Sequence, residues 1–397
     1  MHAMKRLIVL LTIVALLVPA AYGATKVKIG FVNSMTGPEA PIGENLTNGV
    51  SLAIEDLKKQ GIDVDLIKED DTGKPEKSMA AIEKFATRDN VAGVVGPYSS
   101  KCANAVSKLA EKYRVPLLIP VAAKEDITRQ NLKWVFRLNA TSDQYANILL
   151  NMVSSLGKVK TMAIIHENTD FGTSTAKSAM GYAAKHGIQV VAEEAYAPGS
   201  PDYRSTLAGI KGKNPEVVFM VSYVADAILL MRQSREMGLS PRAFLGAGAG
   251  FATQAFAKET DISSNVFSST QWTSDVKWPG ATDFAARYQA RFGKEPTYHA
   301  ACAYAAMKIM AETAAKGKSN PKATRDLLKA GNWNGIMGPV KFADYDGYTN
   351  QNNHQMLVEQ IQNGKHETVY PLSFAPKKAV YPFPGWKAPV VAGGGAK

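Results

Sequence analysis

Short apolar runs separated by longer amphipathic stretches recur from Lys26 onward, and no other feature of the chain constrains its fold as tightly. A buried parallel strand is a short run of apolar residues, while a helix covering a sheet shows apolar positions three or four residues apart. Residues 27–32 read as a strand, and Leu46, Val50, Ile54 and Leu57 mark one face of the helix that follows. A strand at 64–67, helix 75–88, strand 91–95, helix 101–113 and strand 116–119 complete a first lobe. The alternation restarts after Arg137 with helix 144–156, strand 161–166, helix 172–186 and strand 189–195. It continues through helix 202–211, strand 217–221, helix 225–237, strand 243–245, a short helix at 253–258 and strand 266–269. The pattern predicts α/β architecture in two lobes, each built on a largely parallel sheet. Helices at 283–292, 299–316 and 321–330 then follow with little strand between them, which suits a chain returning to cover the first lobe. Strands at 340–342 and 355–362 come next, and a Pro/Gly-rich tail from Ala375 wraps the surface or frays.

The first residues speak to compartment. Lys5 and Arg6 precede an apolar run over 7–18, followed by the small residues Ala20, Ala21, Gly23 and Ala24. This is the layout of a cleavable export signal over residues 1–24, cut after Gly23 or Ala24, and the run is short for a membrane span. No cysteine follows it to take a lipid, so the expectation is a soluble periplasmic protein. With 397 residues, 46% hydrophobic and 20% charged, the chain is long enough for two cores. The formal charge of +11 falls to +9 when Lys5 and Arg6 are removed (11 − 2). Its basic residues are scattered singly and in pairs near acids, which argues against nucleic acid as a partner. Cys102 and Cys302 lie far apart, and two buried thiols are favoured over one long-range bridge.

Enzymatic and cofactor motifs are weak. Gly246, Gly248 and Gly250 follow a strand, but the third glycine comes one position too early for a dinucleotide-binding turn, so a strand-exit turn is favoured and no cofactor is expected. The six histidines are scattered without a second ligand at metal spacing, so no metal is expected. Ser99 and Ser100 lack the Gly-x-Ser-x-Gly elbow of a hydrolase, and no catalytic residue is assigned. Those serines end a strand and open a helix, where free N–H groups attract an anion such as a carboxylate; a simple helix cap is the other reading. Asp70-Asp71 at a strand end is read as a turn or cap feature.

The spacing of several short segments resembles the branched-chain amino acid binding proteins of ABC importers. The segments are Ile29-Gly30 leading to Met35-Thr36-Gly37-Pro38, Glu69-Asp70-Asp71, Gly96-Pro97-Tyr98-Ser99-Ser100, Pro120-Val121-Ala122-Ala123, Asp170-Phe171-Gly172, Tyr223, Gly246 and Tyr304-Ala305-Ala306. The resemblance implies a type I periplasmic binding fold: two doubly wound parallel-sheet lobes joined by three hinge crossings, with ligand in the cleft at the strand C-termini. On that basis residues 25–139 with 272–341 form lobe one, residues 140–271 with 342–397 form lobe two, and the crossings fall near Ala140, Gln271 and Phe342. It further implies a monomeric receptor that closes on a small molecule and presents it to a membrane permease.

Carried over position by position, Ser100 matches the serine that holds the ligand carboxylate. Tyr98 and Ser99 lie beside it. Val121, Ala122 and Ala123 match the loop that assists, although its threonine hydroxyl is absent here. Phe171 and Tyr223 match the second-lobe aromatics that close over the ligand. Gly248 falls where amino-acid receptors carry an acid that pairs with the α-ammonium; Asp170 or Glu167 are the nearby acids that could replace it. Trp272, Tyr298 and His299 lie near segments expected to line the cleft. The implied ligand is a hydrophobic amino acid or a related small carboxylate, with an aromatic or aliphatic acid lacking the α-amino group, or a sensory role, as alternatives.

Overall fold

A computed structural model describes residues 24–386. Residues 1–23 of the proposed export signal and the last residues of the tail, from 387, therefore lie outside the described residues. The first part of the chain supplies Thr25–Asn33 (β1), Ile62–Asp70 (β2), Gly93–Val95 (β3), Leu117–Ile119 (β4) and Val135–Arg137 (β5). The middle supplies Thr161–Glu167 (β6), Gln189–Tyr196 (β7), Val217–Val221 (β8), Ala243–Gly246 (β9) and Phe267–Thr270 (β10). After three helices come Trp333–Gly335 (β11), Gly338–Val340 (β12), Phe342–Tyr345 (β13), Tyr348–Asn352 (β14), Leu357–Gln362 (β15) and Lys365–Tyr370 (β16).

Two seven-stranded sheets result, ordered β2-β1-β3-β4-β5-β14-β13 and β7-β6-β8-β9-β10-β15-β16. The five leading strands of each run parallel in the doubly wound order; the central ones, such as β3, β4 and β8, are short apolar runs buried on both faces, while β2 and β7 at the sheet edges are partly exposed and carry charged residues. All five residues of β8, Val-Val-Phe-Met-Val, are buried. In both sheets the strand order reverses beside the first strand of the lobe, between β1 and β3 and between β6 and β8. Ligands of such sheets bind outside the strand ends at this point.

The helices Ala281–Phe292, Tyr298–Lys316 and Pro321–Ala330 return to the first lobe. Helix Tyr298–Lys316 lies against helix Ala40–Lys59, where a Cβ on Gly49 would stand 2.2 Å from the Ala300 carbonyl oxygen; glycine is what permits this approach. Tyr304 ties these two helices through Asp56 at 2.7 Å, and Arg287 of helix Ala281–Phe292 joins the same carboxylate at 2.8 Å. Cys102 and Cys302 are buried free thiols. The tail folds over the second lobe, with the Phe383 and Trp386 rings each 5.4 Å from Phe244.

The chain passes between the sheets after β5, after β10 and after β14. The third passage lies at 353–356, later than the expected position at Phe342, so residues 342–352 belong to lobe one. The cause is a hairpin: Asp346 and Gly347 both take positive φ, 47° and 79°, and fold β14 back on β13. Gln351 of β14 then accepts from Arg137 of β5 at 2.5 Å and from Thr128 at 2.9 Å, and donates to the Asn139 carbonyl at 2.7 Å. Arg137 is fully buried, and its need for acceptors ties this strand to the first sheet. Helix 75–88 is also interrupted, with Pro75–Lys84 continuing as a wider turn over Phe85–Asp89.

Candidate functional site

The loops leaving the switch-point strands of both lobes converge on one chamber. From the first lobe, Tyr98 and Ser100 follow β3, while Val121, Ala122 and Ala123 follow β4. Tyr298 opens its helix on the same side. From the second lobe come Phe171 after β6, Tyr223 after β8 and Ala249 after β9. Tyr145 completes the wall. It sits in the first turn of helix Ser142–Leu156, whose start is fixed by a capping box between Thr141 and Gln144.

The aromatics meet across the cleft. Tyr98 of lobe one stands 5.9 Å from Tyr223 of lobe two, which lies 6.1 Å from Phe171. Tyr145 and Phe171 meet edge-on at 6.2 Å, and the Tyr145 hydroxyl donates to the Tyr298 hydroxyl at 3.2 Å. The walls leave about 20 Å³ of open space, roughly the room one water needs, so the ligand size this chamber takes is set by how far the lobes stand apart. A larger groove of about 350 Å³ lies on the outer side of lobe one beside Arg287, Trp333 and Met337. It touches no candidate residue, and the strand ends do not converge there, so the chamber is the stronger site.

Ser100 supplies the sharpest polar feature. Its Oγ accepts the backbone N–H groups of Ala123 at 3.1 Å and Lys124 at 3.2 Å. A hydroxyl with both acceptor positions engaged still has one proton to give. Helix Ser100–Tyr113 has no side-chain cap, and the Ser99 Oγ is buried without a partner. The cap reading of these serines therefore fails, and the helix start keeps its positive end open. Arg137 braces the opposing loop by donating to the Lys124 carbonyl at 2.6 Å and, more weakly, to that of Ala122 at 3.4 Å.

Five predicted positions are not on the chamber wall. Ser99 holds the N-cap position of the helix that Ser100 opens and is buried off the wall. Asp170 sits at the rim, paired with Lys124 at 3.0 Å and Asn104 at 3.2 Å, which ties the two lobes together. His299 stacks on Tyr298 at 3.8 Å and meets the Tyr98 edge at 6.0 Å; burial pushes its imidazole down to about 3, so it backs the wall as a neutral ring. Trp272 packs edge-on against Phe284 at 5.6 Å, inside lobe one. Gly248 has φ +63°, and a Cβ there would stand 2.5 Å from Cε1 of Tyr145, so the space an acid would need is occupied by that ring.

Tyr145 and Ala249 are the wall residues the sequence reading missed. Tyr145 reads locally as one more apolar position on an amphipathic helix, and only its place in the first turn hinted at a cleft role. Burial pushes its phenol up to about 12 and also raises those of Tyr98, Tyr223 and Tyr298, so all four are neutral. Asp70 and Asp71 brace loops: Asp70 accepts from Met35 N–H at 2.8 Å, and Asp71 from Ser78 at 2.8 Å. Among the described residues, no group of three or more His, Cys, Asp or Glu is placed to hold a metal, and no helix is long and apolar enough to cross a membrane.

Comparison with known proteins bears on this geometry. The profile of a family described as periplasmic binding protein matches residues 26–365. A Leu/Ile/Val-binding protein homolog of Brucella suis is 27% identical over 388 residues, covering 93% of this chain and 97% of that one. The substrate-binding protein LivJ of the branched-chain amino acid transporter of Streptococcus pneumoniae, solved with isoleucine, superposes with a TM-score of 0.79 at 24% identity, over 87% of this chain and 100% of that one. An ABC transporter solute-binding protein of Rhodopseudomonas palustris, solved with 3,4-dihydroxybenzoic acid, gives 0.78 at 20% identity, over 90% and 99%.

Proposed function

The chain belongs to the periplasmic binding protein family, and from that premise we propose that it is the exported solute receptor of an ABC importer, capturing a small carboxylate with an apolar body between its lobes. Proteins of this family bind solutes and are not enzymes. The observation that carries the ligand class is Ser100: its hydroxyl is held by two backbone N–H groups, keeps its own proton for an acceptor, and stands at an uncapped helix start. A carboxylate oxygen suits that arrangement, because the O–H donor and the helix end both favour negative charge. Tyr98, Phe171 and Tyr223 supply apolar faces for the rest of the molecule.

The solved relatives agree with this ligand class, since isoleucine and 3,4-dihydroxybenzoic acid share a carboxylate and little else. Closure around the ligand would join the lobes at the Lys124–Asp170 rim and present one continuous surface to a permease. The receptor works as a monomer in this account, with periplasmic location following from the signal-like N-terminus. A thermal-shift screen of hydrophobic amino acids, aliphatic acids and aromatic acids tests the ligand class. The proposal expects stabilisation by at least one carboxylate, and a set of hits confined to sugars, amines or neutral amides would overturn it.

A further inference from the structure

If one pole of the chamber holds a carboxylate, the other pole must suit whatever the ligand carries next to it. That second pole is a chain of neutral donors. The Tyr145 phenol oxygen receives the amide N–H groups of Gln271 and, at 3.3 Å, of Asn139, and so gives its own proton to Tyr298 at 3.2 Å. The Tyr298 oxygen also receives the Ala249 N–H at 3.1 Å. With both acceptor positions engaged, Tyr298 is left with a proton to donate, on the wall of the chamber. Nearby backbone acceptors are already engaged, the Ala123 carbonyl by Ser142 N–H at 2.8 Å and the Tyr223 carbonyl by Ala227 N–H at 2.8 Å.

No carboxylate lines the chamber among the described residues. Asp170 is matched by Lys124 at the rim. Glu39 is matched by Lys101 at 3.1 Å. Glu167 is fully buried off the chamber wall, with one oxygen accepting from Thr169 at 2.7 Å, and burial pushes its carboxyl up to about 8, which keeps it protonated and uncharged at neutral pH. Gly248 cannot carry an acid without displacing Tyr145. An ammonium group brings three donors and a charge, and would be buried here without a counter-ion.

We infer that the chamber selects a carboxylate whose neighbouring group is a hydrogen-bond acceptor, of the 2-oxo acid kind, over the 2-amino acid of the same skeleton, with Tyr298 reading that second group and Tyr145 positioning Tyr298. This rests on the carboxylate reading of Ser100. The test is calorimetry at neutral pH on leucine and phenylalanine, their 2-oxo acids, and the matching acids with a plain methylene at that carbon. For the skeleton that binds, the oxo acid is expected to bind about tenfold or more tighter than the amino acid, and tighter than the plain acid. Tyr298→Phe is expected to bring the oxo-to-plain ratio close to one while the plain acid still binds. Tyr145→Phe is expected to lower the same ratio, which general loosening of the fold would not do. Amino acid binding equal to or tighter than its oxo acid overturns the inference and leaves the carboxylate reading standing. No binding by any of these acids to protein that is folded by circular dichroism overturns the carboxylate reading and the inference with it.

Discussion

Replacing Ser100 by alanine removes one oxygen that does two jobs. It ends the acceptance of the Ala123 and Lys124 N–H groups, at 3.1 and 3.2 Å, and it deletes the proton that the account assigns to the ligand. A hydrogen bond to a charged group is worth about 1.5–3 kcal/mol net. The two freed N–H groups can turn to the ligand carboxylate and recover part of this, which puts the loss near the lower end, about 1.5–2 kcal/mol. That is roughly a ten- to thirty-fold rise in Kd. Folding should survive, because Ser100 is the first residue of its helix and alanine is a strong helix former. The assay is calorimetry on wild type and variant with the best carboxylate from the screen, at fixed salt, with circular dichroism and thermal melting alongside. A folded variant whose Kd stays within about twofold of wild type would refute the hydrogen-bond reasoning, since twofold is under about 0.5 kcal/mol.

Other perturbations test the supports of the site. Gly248→Asp should not raise amino-acid affinity; with φ +63° and Tyr145 at 2.5 Å it should lower the melting temperature by an amount equivalent to about 1–3 kcal/mol, and a gain in leucine binding would contradict the packing seen here. Gln351→Ala leaves the buried Arg137 short of an acceptor, so a loss of about 1–3 kcal/mol in denaturant titration should accompany weaker ligand binding, because Arg137 also holds the Lys124 carbonyl. Glu167 sets a pH dependence. Burial, aided by the Glu39 and Asp226 carboxylates, raises its carboxyl from 4.5 to about 8 in the folded protein. Its contribution is therefore fully present below pH 4.5, is lost as pH rises from there through about 8, and is flat beyond. Glu167→Gln should flatten this part of the stability profile, measured by melting across that range.

Much of the architecture is legible in the chain because a central parallel strand must be apolar on both faces, as in Val217 to Val221, and a covering helix on one face. The three helices after Trp272 were also readable as a return to lobe one, since they lack strands of their own. The β13–β14 hairpin was missed although Asp346-Gly347 is a turn dipeptide, because the polar strand Tyr348–Asn352 earns its place through Gln351 and a buried arginine 214 residues away. For the site, the residues directly after strand ends, such as Ser100 and Tyr223, were accessible to sequence reasoning. Tyr145 was not, since a helix pattern does not say which turn faces a cleft. The glycine at 248 could be noticed, but its meaning depends on the ring that fills the space above it. Trp272 illustrates the opposite error: proximity to a crossing suggested a cleft wall, whereas Phe284 offers its indole an apolar partner inside the lobe.

The central claim is that a negative carboxylate, seated against Ser100 and the open helix start, is what this chamber closes upon. The direct measurement is calorimetric titration of one carboxylic acid identified by the screen against its own primary amide, which keeps shape and apolar surface and removes the charge. The account predicts that the acid binds at least about tenfold tighter than the amide, and that the difference shrinks in Ser100→Ala. Equal binding of acid and amide, or an acid preference untouched by Ser100→Ala, would contradict it.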